Sequence, residues 1–241
     1  MIDLIAFDAD DTLWHSEILY SDVQERFQDL LSPYDLDGRA RRELYETEIQ
    51  NLQYFGYGIK GFALSMIETA IRISDGQIQA SEILEILDLA KGMLRAQVRL
   101  LDRVPEVVAE LAASYPLMLV TKGDLIDQER KVAQSGLGSY FVHVEITSDK
   151  SEDFYRALLA RHHIAPERFL MVGNSLRSDI LPVIALGAHA VHIPYHVTWA
   201  HEAVGVHGGN TREYVELEDI GLLPMFVQQL CQGDGREPGD S

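Results

Sequence analysis

Cysteine is almost absent from this 241-residue chain, and long apolar stretches are missing altogether. The one cysteine, Cys231, has no second cysteine to pair with, which is typical of proteins in a reducing compartment. No apolar run approaches the roughly 18–20 residues that cross a bilayer. The first residues also lack the basic region of a secretory signal and soon turn acidic. We therefore expect a cytoplasmic protein that does not enter a membrane.

Positive charge is scarce as well. The 20 Lys and Arg residues face 38 Asp and Glu residues, which gives a net charge of −18. A surface this acidic repels phosphate backbones and anionic lipids, so nucleic acids and membranes are not expected as partners. An anionic small molecule can still bind if the fold builds a local positive pocket. The hydrophobic share of 46% argues against disorder, but nothing in the sequence predicts an oligomeric state.

Five short apolar runs, rich in β-branched and large aliphatic residues, predict strands that are buried on both faces of a parallel sheet. They occupy residues 2–7, 116–120, 141–146, 168–172 and 190–193. Segments with helical spacing of apolar residues lie among them, at 104–114, 125–134, 154–161 and 180–186. Strands that alternate with helices predict a doubly wound α/β fold, in which ligands bind at the carboxyl ends of the strands.

Residues 16–97 interrupt this alternation, because they carry helical patterns and no convincing strand. Four helices are predicted, near 16–32, 38–54, 60–73 and 80–97. We predict a smaller all-helical cap domain at 15–98, inserted into a core domain formed by 1–14 plus 99–241. A helical bundle on one edge of the sheet is the alternative. The Gly-rich run 54–61, with Tyr57 and Lys60, could close over a substrate or simply begin a helix.

Three carboxylates follow the first predicted strand, in the segment Asp8-Ala9-Asp10-Asp11-Thr12. Such closely spaced like charges repel one another unless a cation compensates them. Asp8 and Asp10 point the same way on an extended backbone. One of them can therefore be a nucleophile that also coordinates a metal, while the other works as an acid. A solvated acidic turn is the alternative, and Asp11 is expected to be a turn residue.

The ends of the second and third predicted strands carry groups suited to a phosphate. Thr121, Lys122 and Gly123 precede a predicted helix, where a hydroxyl and backbone N–H groups can hold an anion. Helix capping by Thr121 or Asp124 is the alternative. Lys150 lies at the start of another predicted helix, where acids are favoured over cations. A functional role would explain that position, and an ordinary surface lysine is the alternative.

The fourth predicted strand ends in Gly173-Asn174-Ser175, and Asp179 follows shortly after it. Asn174 and Asp179 could supply oxygen ligands to a metal ion, whereas Ser175 or Ser178 could merely cap the next helix. Each of the four strand-end signals is ambiguous alone. Their occurrence at the ends of successive predicted strands makes the combination specific.

In this order the four segments resemble the four motifs of the haloacid dehalogenase-like (HAD) hydrolase superfamily. The matching residues are Asp8-Ala9-Asp10-Asp11-Thr12, Thr121, Lys150, and Gly173-Asn174-Ser175 with Asp179. The resemblance covers nearly the whole chain and implies a Rossmann-like core with a helical cap inserted after the first motif.

The resemblance also implies Mg²⁺-dependent hydrolysis of a small phosphorylated metabolite, a phosphate monoester. Asp8 would attack phosphorus and form an aspartyl-phosphate, and Asp10 would serve as general acid and base. The phosphoryl oxygens would be held by Thr121, Lys122 and Lys150. The metal ligands would come from Asp8, the Asp10 backbone carbonyl, Asn174 and Asp179, with the direct ligand among the last two left open.

Two positions bear on alternatives to this activity. Asp10 favours phosphoester hydrolysis, since members that displace halide from 2-haloacids resemble Asp-x-Tyr there and need no proton for a leaving alcohol. A dehalogenase or phosphonate-type hydrolase would use Asp10 differently. Asn174 departs from the Asp of many phosphatase members and adds no charge. A non-catalytic descendant that binds a phosphometabolite therefore stays open.

Five of the nine histidines lie within residues 189–207, but their spacing matches no compact zinc pattern. His196 and Trp199 follow the last predicted strand, so they could rim the site or simply pack in a loop.

Overall fold

The computed structural model describes residues 1–196 and 214–233. Within these residues the sheet has six strands, in the order β3-β2-β1-β4-β5-β6, and every neighbouring pair is parallel. The strands are β1 Leu4–Phe7, β2 Leu117–Lys122, β3 Phe141–Thr147, β4 Phe169–Gly173, β5 His189–His192 and β6 Val215–Glu216. The predicted parallel α/β sheet is therefore confirmed, and β6 is an additional strand that the sequence did not indicate.

Helices cover both faces of the sheet. These are α5 Val104–Ala112, α6 Leu125–Ser135, α7 Glu152–His162, α8 Leu181–Ala185 and α9 Leu223–Gly233. Alternate residues of β1 point to opposite sides, so that Ile5 and Phe7 pack with α5 and α9, while Leu4 and Ala6 pack with α7 and α8. The period of two along a buried strand thus creates two apolar layers, as a doubly wound sheet requires.

Two predictions about these elements were wrong in detail. The strand β3 is not buried on both faces, because it pairs only with β2 and forms an edge where Val142 is 59% exposed. The helix predicted to begin at 180 starts at Leu181 instead, after a wider π-helical turn, Leu176–Ile180. That turn carries Asp179 towards the end of β4.

Four helices lie between β1 and β2 in the chain, as predicted. They are α1 Glu17–Leu31, α2 Ala40–Phe55, α3 Ile59–Ile73 and α4 Ala80–Arg95. This helical block, residues 17–95, has its own hydrophobic cluster, in which Phe27, Met66 and Ile86 are fully buried. A separate cluster is what an independently packed unit needs, but the domain boundaries at 14/15 and 98/99 remain a prediction.

The two chain crossings between the sheet and the helical block run side by side. Trp14 forms an antiparallel bridge with Leu100, and the His15 backbone N–H donates to the Arg99 carbonyl at 3.0 Å. Trp14 is 1% exposed, so this junction is firmly packed, as expected for an anchor at the base of the block. In the described part of the chain, no helix is both long and apolar enough to cross a membrane.

The end of β4 tolerates only glycine. A Cβ atom on Gly173 would lie 2.4 Å from Cγ of the buried Asp179. We predict that Gly173→Ala lowers the free energy of unfolding by about 1–3 kcal/mol, because the added methyl group must displace Asp179. Denaturant unfolding measures this change.

The control is Gly92→Ala in α4, where an added Cβ meets no atom within 4 Å. It should raise the free energy of unfolding by about 0.5–1 kcal/mol, since alanine is the better helix former. A Gly173→Ala protein as stable as the wild type would contradict the packing described for Asp179.

Candidate active site

A single cavity lies between the carboxyl ends of the strands and the helical block. Its lining includes every side chain that the sequence predicted for the site, namely Asp8, Asp10, Thr121, Lys122, Lys150, Asn174 and Asp179. Thr121 and Lys122 end β2, and the others lie in the segments that follow β1, β3 and β4, so residues more than a hundred positions apart share one space. The parallel topology brings them together, because all strands end at the same edge.

Lys150 joins two of the predicted strand-end segments, because it binds Asp8 after β1 and Asp179 after β4. Its Nζ donates to Asp8 Oδ1 at 2.5 Å and to Asp179 Oδ1 at 2.8 Å, and all three side chains are buried. Burial raises the pKa of Asp8 to about 7, although Lys150 opposes the rise. Burial also disfavours the charge on Lys150, but Asp179 and Asp8 raise its pKa above the ordinary value. Lys150 is thus a fixed cation at Asp8, and the reading of an ordinary surface lysine was wrong.

Thr12, which the sequence did not single out for the site, holds the other oxygen of Asp8. Its hydroxyl donates to Asp8 Oδ2 at 2.9 Å and lies 3.3 Å from Asn174 Oδ1. The Asn174 backbone N–H in turn donates to Thr12 Oγ1 at 3.1 Å. Asp8 and Asn174 therefore lie next to each other across the β1–β4 pair.

Asp179 has both oxygens engaged and is completely buried. Oδ1 accepts from Lys150, and Oδ2 accepts from the Ser175 backbone N–H at 3.0 Å. Asn174 is half-buried and borders the cavity. Its backbone carbonyl accepts a hydrogen bond from Nε2 of the His192 ring at 3.0 Å, so β5 helps to position it. Ser175 does cap the following turn, as the alternative held, by accepting from the Ser178 N–H.

Three side chains donate hydrogen bonds to Asp10, two from α6 and one from Trp14. Lys131 Nζ binds both of its oxygens, at 2.8 and 2.9 Å. Gln128 Nε2 donates to Oδ2 at 2.8 Å, and Trp14 Nε1 donates to Oδ1 at 2.7 Å. Burial opposes ionisation, but Lys131 together with the other two donors lowers the pKa of Asp10 below its ordinary value. Asp10 is therefore a carboxylate in this conformation.

Sequence reasoning missed Gln128 and Lys131. Both lie on α6 and are 3% and 7% exposed, so they form a polar stripe that faces the site rather than solvent. Their spacing of three residues is the one signal available in the sequence, because residues three apart share a helix face.

Thr121 presents an unused hydroxyl to the cavity. The residue is 1% exposed, and among the described residues its Oγ1 has no hydrogen-bond partner. Capping of α6 falls to Asp124 instead, which accepts from the Asp127 N–H at 3.2 Å. Lys122 packs over the Tyr57 ring at 3.8 Å and donates to Ser178 Oγ at 3.1 Å.

Several other predicted features are now placed. Asp11 is a turn residue, as expected, with a φ of 64°, and it accepts from the backbone N–H groups of Ser16 and Glu17. His196 is exposed, while Trp199 lies outside the described residues, as do His201 and His207. Among the residues described, no three His, Cys, Asp or Glu side chains form a ready-made metal cluster.

The wall opposite the strand ends is acidic. Burial raises the pKa of Glu17 on α1 to about 8, and the neighbouring charges of Asp11, Glu48 and Asp10 add to the rise. Burial also raises the pKa of Glu48 on α2 to about 8. Both residues line the cavity.

We predict a pH-dependent stability that traces to Glu48. A carboxyl group with a folded pKa near 8 and an ordinary value of 4.5 keeps its proton in the folded state when the unfolded chain has lost it. The stability that the folded protein gains by keeping this proton on Glu48 is therefore complete below pH 4.5 and is lost as the pH rises to about 8. Glu48→Gln should melt several degrees above the wild type at pH 9, and this advantage should shrink at pH 5.

Glu46→Gln is the matched control, because Glu46 lies on the same helix and is exposed. Thermal melts of both variants at the two pH values decide the matter. If Glu48→Gln changed the melting temperature equally at pH 5 and pH 9, burial of the Glu48 charge would not lower the stability of the protein.

Two comparisons with known proteins point to the family that the strand-end motifs resemble. A model of the haloacid dehalogenase-like hydrolase family matches residues 2–187. A haloacid dehalogenase-like family hydrolase from Xanthomonas campestris is 38% identical, with a TM-score of 0.85 over 98% of this chain and 94% of that one. The comparison with curated proteins finds no match.

Two more distant structures show the fold alone. A predicted phosphoglycolate phosphatase from Haemophilus somnus is 18% identical, with a TM-score of 0.61 over 94% of this chain and 98% of that one. A 2-haloacid dehalogenase from Pseudomonas syringae is 20% identical, with a TM-score of 0.63 over 95% and 99%. The match over most of the chain and the relative at 38% identity lead to one conclusion: this chain belongs to the haloacid dehalogenase-like hydrolase family.

Proposed function

We propose that the protein hydrolyses a small phosphate monoester, with Mg²⁺ as cofactor and Asp8 as the nucleophile. The observation that carries the proposal is the buried Asp8–Lys150 pair, which shares one cavity with the unused hydroxyl of Thr121. A carboxylate, a fixed cation and a free hydroxyl in a closed space suit attack on a phosphoryl group whose oxygens need compensation.

The residues present suit a magnesium ion. Asp8, Asn174 and Asp179 offer hard oxygen atoms, and they are tied to one another through Thr12 and Lys150. Both Asp179 oxygens already accept hydrogen bonds, so we infer that Asn174 is nearer to the ion and that Asp179 positions Lys150. The Asp10 backbone carbonyl is proposed as a further ligand. When bound, the ion would offset repulsion between Asp8 and the phosphoryl oxygens.

The reaction would divide into two displacements on the side chain of Asp8. In the first, Asp8 forms a bond to phosphorus as the ester bond breaks, and protonated Asp10 gives its proton to the leaving alcohol. In the second, water attacks phosphorus, Asp10 accepts the proton of that water, and Asp8 is released. Lys131 keeps Asp10 ionised before substrate arrives, and the negative charge of the phosphate would raise the pKa of Asp10 for the first step.

The phosphoryl oxygens are assigned to Thr121, Lys122 and Lys150. Lys150 already binds Asp8, and Lys122 lies on the adjacent strand end. An alcohol leaving group needs the proton that Asp10 supplies, whereas a halide needs none. The presence of Asp10 in the cavity therefore favours phosphoester hydrolysis over displacement of halide.

We also propose that the helical block acts as a cap, with the domain boundaries predicted above. Lys60, at the start of α3, binds both oxygens of Asp124 at 3.0 Å, and Tyr57 packs on Lys122. These contacts join the block to the end of β2, directly over the site. A cap closed in this way would keep bulk water from the reacting phosphate.

Replacement of the nucleophile tests the proposal. We predict that Asp8→Asn lowers kcat for p-nitrophenyl phosphate by at least about 1,000-fold, because an amide cannot form the acyl phosphate. Chelation of divalent metal should abolish wild-type activity, and added Mg²⁺ should restore it. Asp88→Asn, an exposed change on α4, is the control and should retain activity.

Other outcomes would point elsewhere. No phosphate release by the wild type with any divalent metal would sink the proposal. Halide release from a 2-haloacid would then favour a dehalogenase, and binding of phosphate esters without turnover would favour a non-catalytic role.

Asp10 can be tested through the leaving group. With p-nitrophenyl phosphate, Asp10→Asn should release about one equivalent of nitrophenol in a burst and then turn over slowly, because that leaving group needs little protonation but the second step still needs a base. With an alkyl phosphate the burst should disappear, and the rate should fall about 100- to 10,000-fold. Rapid-mixing kinetics measures the burst and the rate with each ester. The same burst and the same fall in rate with both esters would contradict the role of Asp10.

A further inference from the structure

The two sides of the cavity differ in charge. The lysines that line it are Lys122, Lys131 and Lys150, and all three come from the strand-end side. The described lining residues from the helical block include Glu17 and Glu48 but no Lys, Arg or His. A bound phosphate is therefore accommodated on one side, whereas the opposite wall offers only negative or neutral groups.

The two glutamates lack compensation within the protein. Among the described residues, neither side chain forms a hydrogen bond or an ion pair, although both are half-buried. Every charged neighbour that acts on Glu17 is itself acidic. Carboxylates in such a position are unfavourable unless a ligand supplies a cation or hydrogen-bond donors.

Gln128 gives a second, independent indication. It is 3% exposed and lines the same cavity. Its Nε2 donates to Asp10 and to the Lys122 carbonyl, so its amide orientation is fixed by two acceptors. The buried Oε1 is left without a partner among the described residues. Such an acceptor calls for a donor, and a ligand in the cavity can provide it.

Gly123 makes room for this arrangement. A Cβ atom there would lie 2.9 Å from Gln128 Nε2, and the backbone has a φ of +144° that side-chain-bearing residues rarely adopt. The loop after β2 thus lets the Gln128 amide lie directly against the Gly123 backbone.

We propose that the alcohol part of the substrate carries an ammonium group. This group binds against Glu17 and Glu48 and donates a hydrogen bond to Gln128 Oε1. The substrate class is then an aminoalkyl or amino-sugar phosphate, a zwitterion whose two charges match the two sides of the cavity. This inference rests on the proposed function, because that function assigns the phosphate to the strand ends. An uncharged polyol phosphate is the competing class, since protonated carboxyl groups can donate to hydroxyls.

Matched pairs of esters test the proposal. O-phosphoethanolamine is compared with 2-hydroxyethyl phosphate, and glucosamine 6-phosphate with glucose 6-phosphate, so that each pair differs by an amine in place of a hydroxyl. In the wild type we expect kcat/KM for the amine of at least one pair to exceed that for its hydroxyl partner by about 10-fold or more, which is what one ion pair worth about 1.4 kcal/mol gives. The combined Glu17→Gln and Glu48→Gln variant should bring this ratio near one, whereas Glu46→Gln should leave it unchanged.

The same ratios can be measured without variants, as inhibition constants of the four esters against p-nitrophenyl phosphate with the wild-type protein. A ratio of one or less in both pairs would overturn the amine subsite and favour the polyol class. A preference for amines that survives in the double glutamine variant would also overturn it. Failure of the proposed function is a separate result, because it would show as no Asp8-dependent release of phosphate from p-nitrophenyl phosphate.

Discussion

The site depends on one buried ammonium group held between two buried carboxylates. Lys150, two residues before α7, reaches Asp8 and Asp179, and all three side chains are buried. Removing any member would leave a buried charge uncompensated. The local backbone is built around this triad, since the Ser175 N–H satisfies the second Asp179 oxygen and Gly173 leaves space for its side chain. In the proposed reaction, the ammonium group of this triad would also offset the negative charge of the phosphoryl oxygens.

The sheet could be predicted to the extent that its strands are buried. β1, β2, β4 and β5 are each flanked by two strands. β1, β2 and β4 are almost entirely apolar, β5 has an apolar centre between two histidines, and the ends of all four fall close to the predicted positions. β3 has the same kind of sequence but lies at an edge, and a run of Val and Ile does not reveal how many neighbours a strand will have. β6 contains only Val215 and Glu216, which is too short for any period to be visible. The four helices of the helical block were predictable because each one repeats its apolar residues over three or four turns.

The predicted site residues all follow strand ends, where a polar residue after an apolar run is a local signal. Gln128, Lys131 and His192 lack such a signal. Thr12 lies in the segment after β1, but nothing in the sequence shows which group its hydroxyl contacts, so the roles of all four residues depend on tertiary structure. Lys131 on α6 resembles any solvated lysine in sequence, yet the helix turns it inward to both oxygens of Asp10. His192 lies within an apolar strand, and its contact with the Asn174 carbonyl depends on the pairing of β4 with β5. The ionised state of Asp10 could therefore not be predicted from the segment that contains it.

The strongly acidic composition is compatible with the proposed phosphate ester because the few cations are concentrated. Among the described residues, three Lys side chains line the cavity, and each lies beside a strand end or on the helix that follows one. Lys131 pairs with Asp10, and Lys150 pairs with Asp8 and Asp179, so these two lysines neutralise the protein's own acids before they meet a ligand. The same lysines cannot neutralise Glu17 and Glu48 on the helical block, because the cavity separates the two sides. In the proposed reaction, electrostatic balance in the cavity would therefore depend on what enters it: a metal ion on the strand side, and hydrogen-bond donors or positive charge on the other.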